Sequence, residues 1–347
     1  MAEPPPIAPR LKEVADAAGV TRMTVSLALR DHSSLPPTTR RRIQKLARQL
    51  GYRPDPDVAM LMEKVRAKKR NRTQSVIAYL TAYEKRPAWK SEPTQRLLFE
   101  GARQRASECG YRLEEFWLCE TSMSDARLSE IIHHRGIDGA IVAPLPVPLL
   151  PRLNGFRWGH VSAVALGYTL PVPALHRACN HQFQSMRLLA DKLFALGYRR
   201  IGLAMRPDQD DRVNHNWRAG YLVSQSLWNP EYAVPPLMTG KWNCSVFSHW
   251  MRKCRPDAVI TIGVDVADWL AELGIATPAD VGLANVDLRP TMGDTTGIDQ
   301  NSCQVGIAAV DLLVSLVRHN ERGVPEIPRI VMVEGRFVTG RTTRAQP

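Results

Sequence analysis

The stretch LKEVADAAGVTRMTVSLALRD, residues 11–31, determines how the first part of the chain folds. Leu11, Val14, Ala15 and Ala18 recur with helical spacing, so they form one apolar stripe along a first helix. Gly19 ends that helix, because glycine readily adopts the left-handed backbone conformation that a helix end often needs.

A second helix begins directly after this glycine. Thr21 can cap its first turn by accepting a hydrogen bond from a free backbone N–H. The spacing turns Val25 and Leu29 inward and leaves an outer face made of Arg22, Met23, Thr24, Ser26 and Leu27. Two short helices joined in this way are typical of the helix-turn-helix motif, whose second helix enters a DNA major groove. An ordinary helical hairpin in a core has the same local pattern, so the context must decide.

The residues that follow favour the helix-turn-helix. A third amphipathic helix has an apolar face of Ile43, Leu46, Ala47 and Leu50, surrounded by Arg40, Arg41, Arg42, Lys45 and Arg48. The run KEVADAAGVTRMTVSLAL, followed by PPTTRRRIQKLARQLGYRPD, closely resembles the headpiece of the LacI/GalR family of bacterial transcription regulators. The resemblance covers roughly the first sixty residues, and several motif elements recur in order at matching spacing.

This resemblance implies roles for individual headpiece residues. Arg22 and Met23 stand where the family reads base edges, and Leu27 stands where many members carry a polar reader. Contacts to DNA phosphates are implied for Thr21, Thr24, Ser26 and Tyr52.

Residues 54–74 match the position of the family's hinge. A hinge helix there forms on operator binding and pushes a leucine into the minor groove, and Leu61 falls at that position. Alternatively, Met60, Leu61 and Met62 pack two hinge helices together in a dimer. The basic run at 68–72 either adds contacts to the DNA backbone or is a solvated linker.

Charge is distributed unevenly along the chain. The net charge is +12, and residues 1–74 contain 16 lysines and arginines against 7 aspartates and glutamates. Most of the excess therefore coincides with the predicted headpiece, where contacts to phosphates need it. A solvated basic face would not explain that coincidence.

From Ser75 onward, apolar strands alternate with helices, which indicates parallel sheets covered by helices. The runs LGYRRIGLA, PADVGLANVD and IDQNSCQVGIAAVDLLVSLV are similar, in order, to landmarks of the LacI/GalR effector core. We therefore predict an N-terminal all-α helix-turn-helix headpiece (1–53), a hinge (54–74) and an α/β two-lobed periplasmic-binding-protein-like (type I) effector core (75–347). The resemblance implies a first lobe of about 75–166 and 295–322, and a second of about 167–294 and 323–340.

The cleft between such lobes lies at the carboxyl ends of strands, where α/β sheets bind ligands. Asp287 stands where the family has an aspartate that binds ligand hydroxyls. Other candidates for effector contacts are Tyr79, Thr81, Tyr83, Arg212, Trp217 and Asp265. Trp217 occupies a position where members often have arginine, and it can instead belong to the core. Asp265 can equally cap a helix. These departures allow for an effector other than a common sugar.

Other classes of function have little support in the sequence. No GxGxxG, GxxxxGK[ST], GxSxG or HExxH motif occurs, and Arg206, Asp210 and Arg212, which could hold a phosphate, also suit an effector site. The six scattered cysteines have no metal-site spacing and indicate reduced thiols. We find no signal peptide and no apolar run of about 20 residues, and no leucine heptad follows residue 340.

We therefore expect a cytoplasmic homodimeric regulator, most simply a repressor. Its partners would be a near-palindromic double-stranded DNA operator and a small-molecule effector, such as a sugar or a sugar derivative. We expect no catalytic residue, metal, cofactor or membrane contact. The alternative is a small-molecule sensor without specific DNA binding, against which the basic headpiece argues.

Overall fold

The computed structural model describes residues 9, 11–29, 31, 34–52, 75–120, 123–146 and 153–346. Its first unit, the headpiece, contains three short helices: α1 (Leu11–Ala18), α2 (Arg22–Leu29) and α3 (Pro37–Gln49). Their apolar faces enclose a small core made of Val14, Ala15, Ala18, Val25, Ala28, Ile43 and Ala47. The predicted helix-turn-helix and third helix are therefore confirmed.

Local hydrogen bonds fix the turn between α1 and α2. Gly19 has a φ of 65°, and the N–H of Val20 donates to the Ala15 carbonyl at 3.0 Å. This arrangement satisfies carbonyls that the end of α1 would otherwise leave free. The Thr21 hydroxyl accepts the N–H of Thr24 at 3.2 Å, so Thr21 caps α2 as predicted.

Polar side chains of α3 hold α2 in place. Gln44 donates to the Ala28 carbonyl at 2.8 Å, and Arg40 lies 2.9 Å from the Asp31 carboxylate. Because these bonds reach the carboxyl end of α2, they orient the outer face of that helix.

The second unit, the core, begins at Ser75 and contains two lobes. The first lobe has a parallel six-stranded sheet in the order β11-β5-β4-β3-β1-β2. Its strands are β1 (Ser75–Thr81), β2 (Tyr111–Trp117), β3 (Gly139–Val142), β4 (Ser162–Leu166), β5 (His176–Asn180) and β11 (Ile330–Val333). Helices α4 (Pro93–Glu108) and α11 (Ser302–His319) cover one face, and α5 (Asp125–His134) covers the other.

The second lobe repeats this architecture with the sheet order β12-β10-β9-β8-β6-β7. Its strands are β6 (Ile201–Met205), β7 (Leu237–Met238), β8 (Ala258–Thr261), β9 (Gly282–Asn285), β10 (Thr296–Asp299) and β12 (Arg336–Val338). Only β12 runs antiparallel to its neighbour. Its helices are α6 (Gln182–Ala195), α7 (Pro207–Asp211), α8 (Asn216–Ser226), α9 (Cys244–Cys254) and α10 (Asp265–Glu272).

The chain crosses between the lobes three times, from β5 to α6, from β10 to α11 and from β11 to β12. These crossings correct the predicted lobe boundaries. Residues 176–180 and 330–333 belong to the first lobe, and residues 296–299 belong to the second. The prediction was wrong because strand pairing between distant segments leaves no local mark in the sequence.

Asn180 joins all three crossings. Its buried amide donates to the carbonyls of Gln300 and Val333, both at 3.0 Å. Its carbonyl accepts the hydroxyl hydrogen bond of Ser185 at 2.8 Å. One side chain therefore links the segments by which the lobes are connected.

Helices α4 and α11 pack closely because each has a glycine at their contact. A Cβ placed on Gly306 would lie 2.1 Å from the Leu98 carbonyl oxygen, and one on Gly101 would lie 2.0 Å from the Cys303 carbonyl oxygen. By length and composition α11 is also apolar enough to cross a membrane. Its apolar face, however, packs against α4 and the first sheet.

The predicted hinge lies outside the described residues. This applies to all of residues 54–74, including Leu61 and the basic run at 68–72.

Candidate functional site: the outer face of α2 and a cavity between the lobes

The outer face of α2 is open at its amino end. Arg22 is exposed, and Met23 has 74% of its surface accessible. Ser26 and Leu27 are half-buried further along the same helix. The headpiece core packs against the opposite face of α2. Contacts of Arg22 and Met23 with base edges remain a prediction, which their exposure allows.

The residues implied for phosphate contacts have mixed surroundings. Thr21 is exposed and Thr24 is half-buried, and their hydroxyls lie 2.9 Å apart. Tyr52 packs its ring against the headpiece core. All three remain predictions as DNA contacts.

A cavity of about 320 Å³ lies between the two lobes of the core. Side chains from both lobes and from the crossings contribute to its wall. The first lobe contributes Tyr83, Gln95 and Thr169, the second contributes Arg212, Trp217, Asp287 and Arg289, and the crossings contribute Asn180, Gln182 and Gln300. The cavity therefore lies where the relation between the lobes can change.

Asp287 is the most deeply buried carboxylate on this wall. It follows β9, is 8% exposed, and its backbone N–H donates to the Asn285 side chain at 2.9 Å. Its carboxylate lies 3.9 Å from Arg289 Nε, beyond hydrogen-bond distance. Burial raises the pKa of Asp287, while Arg289 and Arg212 act in the opposite direction. This carboxylate can accept hydrogen bonds from a ligand.

Three further polar atoms of wall residues have no hydrogen-bond partner. They are the indole nitrogen of Trp217, the amide oxygen of Gln182 and Nε of Arg289. Trp217 and Gln182 are themselves more than nine-tenths buried. Because unsatisfied buried polar groups are costly, this wall is complementary to a ligand with several hydroxyl or carbonyl groups.

Four of the seven predicted effector residues line the cavity, namely Tyr83, Arg212, Trp217 and Asp287. Tyr83 is half-buried, and burial raises its pKa while Arg212 acts against that shift. Trp217 lines the cavity and also packs in the core of the second lobe, and its contact with an effector remains a prediction.

Tyr79 and Thr81 lie away from the cavity. Both belong to β1, and their side chains point into the protein on the side opposite to Ala78 and Leu80. Tyr79 packs against aromatic rings, while Thr81 donates to Glu115 at 2.9 Å. Only Tyr83, beyond the end of the strand, reaches the cavity.

Asp265 also lies elsewhere. It is the exposed first residue of α10, and its carboxylate accepts the indole N–H of Trp242 at 2.8 Å. The predicted alternative, a helix cap, is also wrong, because Val264 is the capping residue and the Asp265 carboxylate bonds to Trp242 instead.

Comparison with known families supports this two-part architecture. A family model described as "Bacterial regulatory proteins, lacI family" matches residues 10–55. A second, described as "Periplasmic binding protein-like domain", matches residues 190–343. The headpiece therefore resembles the lacI family of bacterial regulatory proteins, and most of the second lobe resembles a periplasmic binding protein-like domain. No curated protein matches this chain significantly.

Solved structures share the fold of this chain. A transcriptional regulator CelR–cellobiose complex has 20% identity and a TM-score of 0.58, covering 96% of this chain and 99% of that one. The lac repressor dimer bound to operator and the anti-inducer ONPF has 18% identity and a TM-score of 0.56, covering 97% and 99%. A LacI family regulator from Enterococcus faecium with bound ribose has 14% identity and a TM-score of 0.56, covering 79% and 100%.

Sequence reasoning missed several wall residues, among them Gln95, Gln182, Arg289 and Gln300. Arg289 could have been found from its position two residues after Asp287. No local sequence pattern indicates the three glutamines, because their positions in the cavity depend on the tertiary packing of distant segments.

Proposed function

We propose that this protein is a LacI-family repressor that binds a near-palindromic operator as a homodimer and responds to a small effector. One observation carries the proposal. A headpiece with an exposed α2 is joined to a two-lobed core whose cavity has polar wall atoms without partners. The first unit suits DNA, and the second suits a small polar ligand.

In this proposal a homodimer places two α2 helices in successive major grooves, about 34 Å apart. Arg22 donates two hydrogen bonds to a guanine, and Met23 contacts a thymine methyl. Leu27 faces a further base pair. Thr21, Thr24, Ser26 and Tyr52 contact phosphates and set the register. Leu61 of the hinge inserts between base steps in the minor groove.

The effector acts by binding one arrangement of the lobes better than the other. Tyr83 stands on one lobe and Asp287 on the other, so a bound ligand bridges them. Since residue 75 follows directly on the hinge, a rotation of the first lobe changes the separation of the hinges in a dimer. The complexes of CelR with cellobiose and of the E. faecium regulator with ribose support a sugar or a sugar derivative as effector.

The proposal includes the cellular location of the protein and its need for cofactors. We infer that it acts in the cytoplasm, where the DNA lies. It needs no cofactor or metal for this function and carries out no catalysis.

Selection of genomic DNA fragments on the purified full-length protein tests the proposal. The selection is run at two salt concentrations, with and without a panel of sugars and sugar derivatives. A recovered near-palindrome that survives the higher salt supports a specific regulator, since nonspecific binding falls steeply with salt. An Arg22→Ala, Met23→Ala double variant serves as the matched control. Salt-sensitive retention without sequence preference under every condition would contradict the proposal and would favour a sensor.

A further inference from the structure

Three arginines and three carboxylates line the cavity, but they are not all paired with one another. Arg206 and Asp208 form an ion pair with N–O distances of 3.0 and 3.3 Å, so they neutralise each other. Glu92 is exposed on the rim and, among the described residues, forms no ion pair with a cavity arginine, although it acts on Tyr83. Asp287 is the carboxylate on which the remaining pair, Arg212 and Arg289, both act.

Neither of these two arginines has a satisfied partner. The Nε atom of Arg289 is buried without a hydrogen bond, since the nearest Asp287 oxygen lies 3.9 Å away. Arg212 forms no side-chain hydrogen bond or ion pair within the described part of the chain. A guanidinium presents up to five donors in a planar fork that matches carboxylate and phosphate groups.

The two guanidiniums act on the same space. Arg212 and Arg289 both line the cavity, and both oppose the rise that burial causes in the pKa of Tyr83 on the first lobe and of Asp287 on the second. An oxyanion bound by either arginine would therefore lie within the cavity. Asp287 would remain available to accept a hydroxyl of the same ligand. A neutral sugar would offer the two guanidiniums only uncharged oxygens, whereas a carboxylate or phosphate would accept charge-assisted hydrogen bonds, which are stronger.

We propose that the effector is a small polyhydroxylated anion, whose carboxylate or phosphate is held by Arg212 and Arg289 while Asp287 accepts one of its hydroxyls. This inference rests on the proposed effector function of the cavity. The volume of about 320 Å³ suits a ligand of monosaccharide size.

The test compares matched neutral and anionic probes on the full-length protein. Isothermal titration and thermal shift are measured with D-glucose, D-gluconate, D-glucuronate and D-glucose 6-phosphate, and with D-ribose and D-ribose 5-phosphate. We expect at least one anion to bind about tenfold or more tightly than its neutral parent, because charge-assisted hydrogen bonds are the stronger kind. Preference for the acids identifies a carboxylate ligand, and preference for the phosphates identifies a phosphate ligand.

Three variants sharpen the test. Arg212→Gln and Arg289→Gln should each remove the preference for the anion. The matched control is Arg341→Gln, which changes an exposed arginine that is paired with Asp294 and does not line the cavity, and it should keep the preference. Equal responses to neutral and anionic probes, including no response to any, would overturn the inference. So would an equal loss in Arg341→Gln. Operator binding by the ligand-free protein, measured separately, shows whether the proposed DNA-binding function itself holds.

Discussion

Asn180 offers a sharp test of how the lobes are connected. Its side chain is 4% exposed and makes three hydrogen bonds, to the Gln300 and Val333 carbonyls and from the Ser185 hydroxyl. Asn180→Ala removes all three and leaves the partner groups buried without a bond. At about 1 kcal/mol for each bond, the free energy of unfolding should fall by about 3 kcal/mol. For a core of this size, that corresponds to a drop of about 6–12 °C in Tm.

Urea unfolding of the full-length protein, followed by tryptophan fluorescence, measures this loss. The matched control is Ser185→Ala, which removes only one of the three bonds and should lose about 1 kcal/mol. A loss in Asn180→Ala no larger than that of Ser185→Ala would refute the reasoning. It would mean that the hydrogen bonds from the Asn180 amide to the Gln300 and Val333 carbonyls add nothing to the free energy of unfolding.

Three further predictions follow from the structure. Arg22→Ala should reduce discrimination at one operator base pair by about 1–3 kcal/mol and leave affinity for random DNA nearly unchanged; fluorescence anisotropy on both DNAs measures this, and equal losses on both would contradict a reading role. Asp287→Asn should raise the free energy of unfolding at pH 7. Burial raises the pKa of Asp287 in the folded state, so the ionised carboxylate lowers stability at pH 7, and asparagine removes that cost. In urea titrations, this gain in the free energy of unfolding should shrink as the pH falls toward 4. A gain that does not depend on pH would argue against this cause. The same variant should retain operator binding and lose the effector response. Gly306→Ala should destabilise the core by about 1–3 kcal/mol or more, because its Cβ would lie 2.1 Å from a backbone oxygen. The control is Gly159→Ala, whose Cβ meets no atom within 4 Å and which should be nearly neutral. Thermal unfolding measures both variants.

The headpiece could be predicted closely from the sequence because its determinants are local. The stripe on α1, the glycine at 19 and the cap at Thr21 lie within eleven residues of one another. Each acts on its own turn of backbone, and the structure has each in the predicted role. DNA as the partner, which the basic residues around α3 indicate, stays a prediction, although residues 10–55 match a family of bacterial regulatory proteins.

The core was predictable in class but not in its connections. Strand and helix alternation indicated parallel sheets, while the crossings at 180–182, 299–302 and 333–336 depend on pairing between segments up to about 150 residues apart. The same limit affected the site. Asp287 follows a strand that the pattern identifies, whereas the place of Asp265 depends on a tertiary contact with Trp242.

The late position of β11 and β12 has a consequence for synthesis on the ribosome. Each of these strands completes one of the two sheets, so neither lobe can close until residues 330–338 have emerged. The headpiece ends near residue 52 and has its own core, so it can fold roughly 15–60 s earlier at ordinary elongation rates. A nascent or prematurely terminated chain would therefore have a folded α2 but an incomplete cavity. Such a chain would present its DNA-reading surface before any effector could control it.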